Sequence, residues 1–354
     1  MSAPAGETAT APEPIVAGEA APSEPLEAGI PNPGPPEPGG PVVEPVDAAL
    51  TPVTAEPDVT PPDREPDLVV LPEADAVAQE EEEEEVAPAP SPFLRPLPRV
   101  LAIANQKGGV GKTTTTVNLG ASLAVLGYRV LVVDLDPQGN ATTGLGINSR
   151  NLDHSIYDVL LHDVSLEDCV EPTTLRNLFV APSTIDLAGA EIELVAAFSR
   201  ELRLRRALDE VLDDFDFVLI DCPPSLGLLT VNGLAAATEV VVPIQCEYYA
   251  LEGLGQLLRN VNLVQGNLNP KLEVSAIVLT MYDARTKLAE QVAGEVRQHF
   301  GPKVCRNIVP RTVRLSEAPS FGQPIIVFDP SSRGSLAYRE LAKEVSGGAP
   351  QRTG

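Results

Sequence analysis

"VLAIANQKGGVGKTTTTVNLGASLAVLG", Val100–Gly127, decides the fold. Val100–Asn105 is an almost continuous apolar run, the composition of a strand buried on both faces. A glycine-rich turn follows, and Lys112–Leu126 then reads as a helix closed by Gly127. A strand passing through glycines straight into a helix is a phosphate-binding unit. Gly108, Gly109 and Gly111 let backbone N–H groups, that of Val110 included, approach phosphate oxygens at a helix N-terminus. Lys112 then reaches the β- and γ-phosphates and Thr113 holds Mg2+, so ATP with magnesium is the expected ligand. A turn that merely links strand to helix does not explain G-K-T-T at this spacing.

The loop departs from the usual G-x-x-x-x-G-K-[ST] in one way: Gln106 replaces the first glycine, and a second lysine, Lys107, follows it. A cation at the loop's entrance adds little to its own cradle, where Lys112 already acts. Pointing outward, it meets phosphates held by a second copy and stabilises the charge that develops on a transferring phosphoryl group, as an arginine finger does. ATP hydrolysis by a homodimer is the resulting expectation.

Five further apolar runs read as buried strands: Arg129–Asp136, Asn177–Pro182, Asp216–Asp221, Glu239–Ile244 and Val274–Thr280. Helical segments, Ile192–Leu212 among them, lie between. The alternation predicts a doubly wound α/β fold, a mostly parallel sheet with helices on both faces, in one domain over 93–348. Asp136, with Asp134 beside it, and Asp221 close two of the runs, at the carboxyl edge where open α/β sheets bind ligands. Asp221 matches the carboxylate that orients magnesium in nucleotide-hydrolysing loops.

The formal net charge of −25 is concentrated in one segment. Residues 1–92 hold 21 acids against one base, Arg64, together with 21 of the 36 prolines and the run Glu80–Glu85. Such a segment buries too little apolar surface to offset its ordering entropy, and it is read as a disordered tail, a solvated spacer or a docking segment for a polar scaffold partner. The tail lacks the basic start and apolar core of a signal peptide. Residues 349–354 are read as a second disordered end. The four cysteines, Cys169, Cys222, Cys246 and Cys305, are too scattered for a zinc site or a disulfide framework, which suits a reducing cytoplasm. No apolar run approaches the roughly 20 residues of a membrane span, so no membrane partner is expected.

"KGGVGKTT", "DLDPQGNAT", "LIDCPPSLGLLTVN", "QCEYYALEGL" and "RLSEAPSFGQPI" occur in that order, and together they resemble the chromosomal ParA (Soj) partition ATPases of the deviant Walker-A class. The resemblance runs from about Val100 to Val345. It implies an ATP-sandwich dimer that binds double-stranded DNA without sequence preference, and release when a ParB-type centromere complex stimulates a slow hydrolysis. By position, Lys107 is similar to the signature lysine that contacts the opposite subunit's nucleotide. Lys112 corresponds to the phosphate lysine, Thr113 to the magnesium ligand and Thr114 to an α-phosphate contact. Asp136 corresponds to the residue that positions attacking water and is expected, with Thr113 and Asp221, at the metal, and Gln138–Asn140 corresponds to the first switch. Asp221 corresponds to the second-switch carboxylate, and Pro310 falls where the family packs chain against adenine. The C-terminal stretch lacks the basic amphipathic helix of MinD, and the acidic tail lacks a folded helix-turn-helix module.

Arg285–Arg314 contains seven Lys and Arg against Glu290 and Glu295. On one face, such charges give salt-dependent, sequence-blind phosphate binding. Arg285, Arg306, Arg311 and Arg314 are the expected DNA contacts, the resemblance pointing especially at Arg285 and Arg314, and a cytoplasmic, nucleoid-associated protein is implied. An ATP-dependent scaffold that positions a protein cargo is the alternative.

Overall fold

A computed structural model describes residues 91–247 and 250–348. Seven strands form one sheet: β1 (Arg99–Ile103), β2 (Val130–Asp134), β3 (Glu171–Pro172), β4 (Leu178–Ala181), β5 (Phe217–Asp221), β6 (Glu239–Gln245) and β7 (Glu273–Thr280). Their order is β3-β4-β2-β5-β1-β6-β7. All neighbours run parallel except β3 and β4, which are antiparallel. From β1 the chain moves toward one edge of the sheet for β2, and from β5 it crosses toward the other edge for β6. The loop after β1 therefore opens at a topological switch point.

The strand residues alternate between two cores. Val100 and Ala102 of β1 face one layer, and Leu101 and Ile103 the other. Among the described residues, twelve α-helices surround the sheet: α1 (Lys112–Val125), α2 (Asn140–Gly144), α3 (Ile156–Leu161), α4 (Leu166–Cys169), α5 (Leu187–Glu193), α6 (Arg203–Val211), α7 (Leu228–Ala236), α8 (Ala250–Asn267), α9 (Lys287–Phe300), α10 (Val313–Glu317), α11 (Ile325–Phe328) and α12 (Arg333–Ser346). α1 and α12 pack on the Leu101 side, and α6, α7 and α9 on the other.

The predicted doubly wound sheet is the one observed, and the six expected strands all form, within two residues of their expected limits. The seventh, two-residue β3 carries no apolar run to announce it. The expected helix Ile192–Leu212 does not form as one piece. α5 stops at Glu193, two short 3-10 turns follow, and Ser199 adopts φ 51° before α6 begins at Arg203. Three consecutive polar residues, Ser199–Glu201, sit where a continuous helix would need a buried face. The acidic tail, apart from Ser91 and Pro92, and residues 349–354 lie outside the described residues, as do Tyr248 and Tyr249 of the fourth motif. All four cysteines are buried and unbridged.

Arg99 holds the two ends of the described chain together. Buried in β1, it meets Glu239 of β6 through two 2.7 Å bonds. Its remaining nitrogen donates to the carbonyls of Val345 in α12 at 2.6 Å and of Phe93 at 3.3 Å.

Candidate nucleotide site

The loop between β1 and α1 has the backbone that its glycines require. Gly109 and Gly111 lie at φ 73° and 88°, in the left-handed region that other residues avoid. Asn105 braces the entrance: its Nδ2 donates to the Pro243 carbonyl at 2.8 Å, and its Oδ1 accepts the Lys107 N–H at 3.0 Å. Thr280, at the end of β7, donates its hydroxyl to the Val110 carbonyl at 2.8 Å and so fixes the far side. Lys112 curls back over the loop, its Nζ donating to the Lys107 carbonyl at 3.3 Å. Burial lowers its pKa, and the negative charges of Asp221 and Asp136 work against that shift.

Two carboxylates lie side by side beneath this loop, because Asp134 and Asp221 are register partners at the ends of β2 and β5. Both are fully buried. Asp134 accepts the N–H and the hydroxyl of Thr142 at 2.8 and 2.7 Å, and the Asp136 N–H at 3.1 Å. Thr142 in turn accepts the Ser183 N–H at 2.9 Å, which ties α2 to the loop after β4. Asp221 accepts the Thr116 hydroxyl at 2.9 Å through Oδ1, while its buried Oδ2 has no hydrogen-bond partner. Burial, and next the charge of Asp134, push Asp221 up to about 8, with the Thr113 and Thr116 hydroxyls opposing. Burial likewise raises Asp134 to about 6.

An unpaired buried carboxylate oxygen beside a threonine hydroxyl is a donor set that suits a hydrated divalent cation. Magnesium keeps several waters and takes only one or two protein ligands. No group of three or more His, Cys, Asp or Glu side chains capable of holding a metal occurs among the described residues.

Asp136 is not the terminal residue of its strand. β2 ends at Asp134, and Asp136 stands two residues beyond, half-buried, accepting the Gln138 N–H at 3.0 Å. The structure brings it to the same edge as Lys112 and Asp221. Lys107 stands at the entrance, its Nζ 3.2 Å from Glu247 and its side chain about a third exposed. Gly111, Thr114, Pro310 and Met281 share a cavity of about 420 Å³ with Leu315 and Tyr338. Pro310 is thereby placed beside the phosphate loop, although it follows that loop by most of the domain in sequence.

The four expected DNA contacts separate. Arg285 and Arg311 line one groove. Arg314 sits on the adjoining helix α10, bound to Glu317 at 3.1 Å and Asp329 at 3.3 Å. Arg306 does not line the groove, and its backbone N–H is held by Glu344 of α12. The residues that sequence reasoning passed over, Thr116, Thr142, Thr280 and Tyr338, are polar side chains whose functional partners lie elsewhere in the chain. The sequence signals were the threonine run after Lys112 and, for Thr142, its place at the end of "DLDPQGNAT".

Strand, glycine loop and helix at a switch point, with two strand-end carboxylates below, define a P-loop nucleotide-binding protein of the α/β class. A family model described as an AAA domain matches residues 98–274. The chain is 59% identical over 248 residues to the sporulation initiation inhibitor protein Soj of Bacillus subtilis, covering 70% of this chain and 98% of that protein. It is 55% identical over 247 residues to the chromosome partitioning protein ParA of Myxococcus xanthus, covering 70% and 87%. Among solved structures, one described as a cobyrinic acid a,c-diamide synthase from Mycobacterium smegmatis, with bound ADP and magnesium, matches at 44% identity and a TM-score of 0.62, over 70% of this chain and 93% of that one. The chain belongs to the Soj/ParA family of chromosome-partitioning ATPases.

Proposed function

We propose that this protein is an ATP-dependent chromosome-partitioning ATPase that dimerises on ATP, binds double-stranded DNA without sequence preference, and leaves it on hydrolysis stimulated by a ParB-type partner. The relatives named as chromosome-partitioning proteins, ParA of Myxococcus xanthus and Soj of Treponema pallidum, share 55% and 52% of the aligned sequence, more than the 44% of the structure that carries a synthase name, and this ranks the readings.

The observation that carries the proposal is the division of labour between two lysines. Lys112 lies over its own loop, buried and under the influence of nearby carboxylates, while the Lys107 ammonium is held only by an exposed ion pair with Glu247. Exposed pairs of this kind contribute about 0–1 kcal/mol, so Lys107 exchanges Glu247 for a phosphate of a second copy at little cost. Backbone N–H groups of Gly108–Gly111 and the Lys112 ammonium bind and orient the phosphates. Thr113 and Asp221 hold magnesium, which supplies positive charge against the charge developing on the transferred group. Asp136, at the same edge, orients the attacking water. The cavity containing Pro310 receives the base.

DNA binding rests on the arginines at 285, 311 and 314, with dimerisation doubling the phosphate contacts and so steepening the affinity. The test is binding to a random-sequence duplex with ADP, ATP or a slowly hydrolysed ATP analogue at two salt concentrations, for the wild type and Arg314→Glu. Binding restricted to the triphosphate states, weakened by salt and lost in the variant, supports the proposal. Dimerisation without DNA binding in any state removes the DNA role and favours a cargo scaffold. Lys107→Ala is expected to keep nucleotide binding while losing stimulated hydrolysis.

A further inference from the structure

Bordering the nucleotide cavity, a groove of about 770 Å³ is built from three separated pieces of chain: Asp283 and Arg285 after β7, Arg311 and Thr312 before α10, and Arg333 at the start of α12. The first two are stitched together by backbone. The Tyr282 N–H donates to the Val309 carbonyl and the Arg311 N–H to the Tyr282 carbonyl, both at 3.1 Å. Arg333 reaches the groove from beyond α11, outside the basic stretch Arg285–Arg314, so nothing in the local pattern of that stretch announces it.

The three arginines differ in what already holds them. Arg285 is tied to Asp283 by bonds of 2.9 and 2.7 Å. Hydrogen bonds from Arg285 come first in drawing Asp283 down to about 2, and the charge of Arg311 adds to the effect. Arg333 is exposed and forms no ion pair with any described residue, nor does Arg311. One acid against three bases leaves the concavity with two uncompensated guanidinium groups facing a space that a phosphodiester can enter. Guanidinium forks suit phosphate oxygens in pairs.

We propose that Arg333 closes this groove as a DNA phosphate site, acting with Arg311 and Arg285 on one stretch of backbone. The inference rests on the DNA-binding reading above and adds to it a contact from α12. Such a site reads charge and spacing, not base sequence.

The full chain, with the slowly hydrolysed ATP analogue and a random-sequence duplex, tests it by anisotropy titration over a salt series. The variants are Arg333→Ala, Arg333→Lys, Arg285→Ala and, as a control of equal charge on α6 across the sheet, Arg206→Ala. Loss of one phosphate contact removes about 0.9 from the slope of log affinity against log salt, which is about eightfold in affinity per subunit at roughly 0.1 M salt. Arg333→Ala should show both effects, Arg333→Lys should recover most of the slope, and Arg206→Ala should show neither. ATP-driven dimerisation, measured alongside, should stay at the wild-type level in Arg333→Ala. If Arg333→Ala behaves as Arg206→Ala while Arg285→Ala weakens binding, the site at Arg333 is wrong and the DNA reading stands. If Arg285→Ala is also silent, both fall. Weakened binding with an unchanged salt slope, or with lost dimerisation, assigns Arg333 a structural role and overturns the inference.

Discussion

Asp221 shows how much of a site's chemistry hangs on one buried atom. Its carboxyl rises to about 8 and that of Asp134 to about 6, both through burial first, whereas an unfolded chain titrates its aspartates at about 3.9. Over the interval between those values the folded chain holds protons that the unfolded chain has released. Stability must then fall as pH rises from about 4 toward about 8, the reverse of an ion-paired carboxylate. Melting curves of the ligand-free protein should show this decline, and Asp221→Asn should flatten its upper part; a melting temperature that climbs through neutral pH contradicts the assignment. At this scale the sequence was legible where the pattern is local. Lys112, Thr113 and the glycines follow from spacing along a few residues. Asp134 was visible only as a neighbour of Asp136, because its role comes from facing Asp221 across two strands that are distant in the chain.

Helices and strands were legible in proportion to how uniformly they are buried. β1, β2 and β5 are buried at every position, so their apolar runs marked them clearly. The broken stretch between α5 and α6 keeps helical spacing on both sides of Ser199, and the interruption shows in the polar run Ser199–Glu201 and in the left-handed backbone of Ser199. Packing between elements was not legible at all. Gly334 in α12 has Leu315 of α10 so close that an added Cβ would stand 2.7 Å from its Cγ. Leu315 also lines the cavity beside Pro310, so Gly334→Ala should press that side chain into the space expected for the base. Overpacking of this kind costs about 1–3 kcal/mol. Circular dichroism should remain that of the wild type while the affinity for a fluorescent ATP analogue drops. Unchanged affinity with a lowered melting temperature would mean that the strain is relieved elsewhere.

For the molecule as a whole, Arg99 and Glu239 form a deeply buried pair joining β1, β6, α12 and the segment that leads into β1. Removing one partner strands the other charge, so Glu239→Ala should cost about 3–5 kcal/mol in urea unfolding, whereas replacing both with apolar residues should cost much less. The acidic segment belongs to this scale too. Deleting residues 1–92, which hold 21 acids and one base, should strengthen DNA binding at low salt; an unchanged affinity would show that the segment does not compete for the arginines. The cavity beside the phosphate loop and the arginine groove meet in one wall, formed by Pro310, Arg311, Thr312 and Ser316. If ATP and DNA bind there as proposed, any coupling through that wall is reciprocal: whatever factor ATP adds to the hold on DNA, DNA must return to the hold on ATP. Duplex DNA would then tighten the equilibrium hold on the nucleotide, and titration with a fluorescent analogue should give a higher affinity with duplex present than without it.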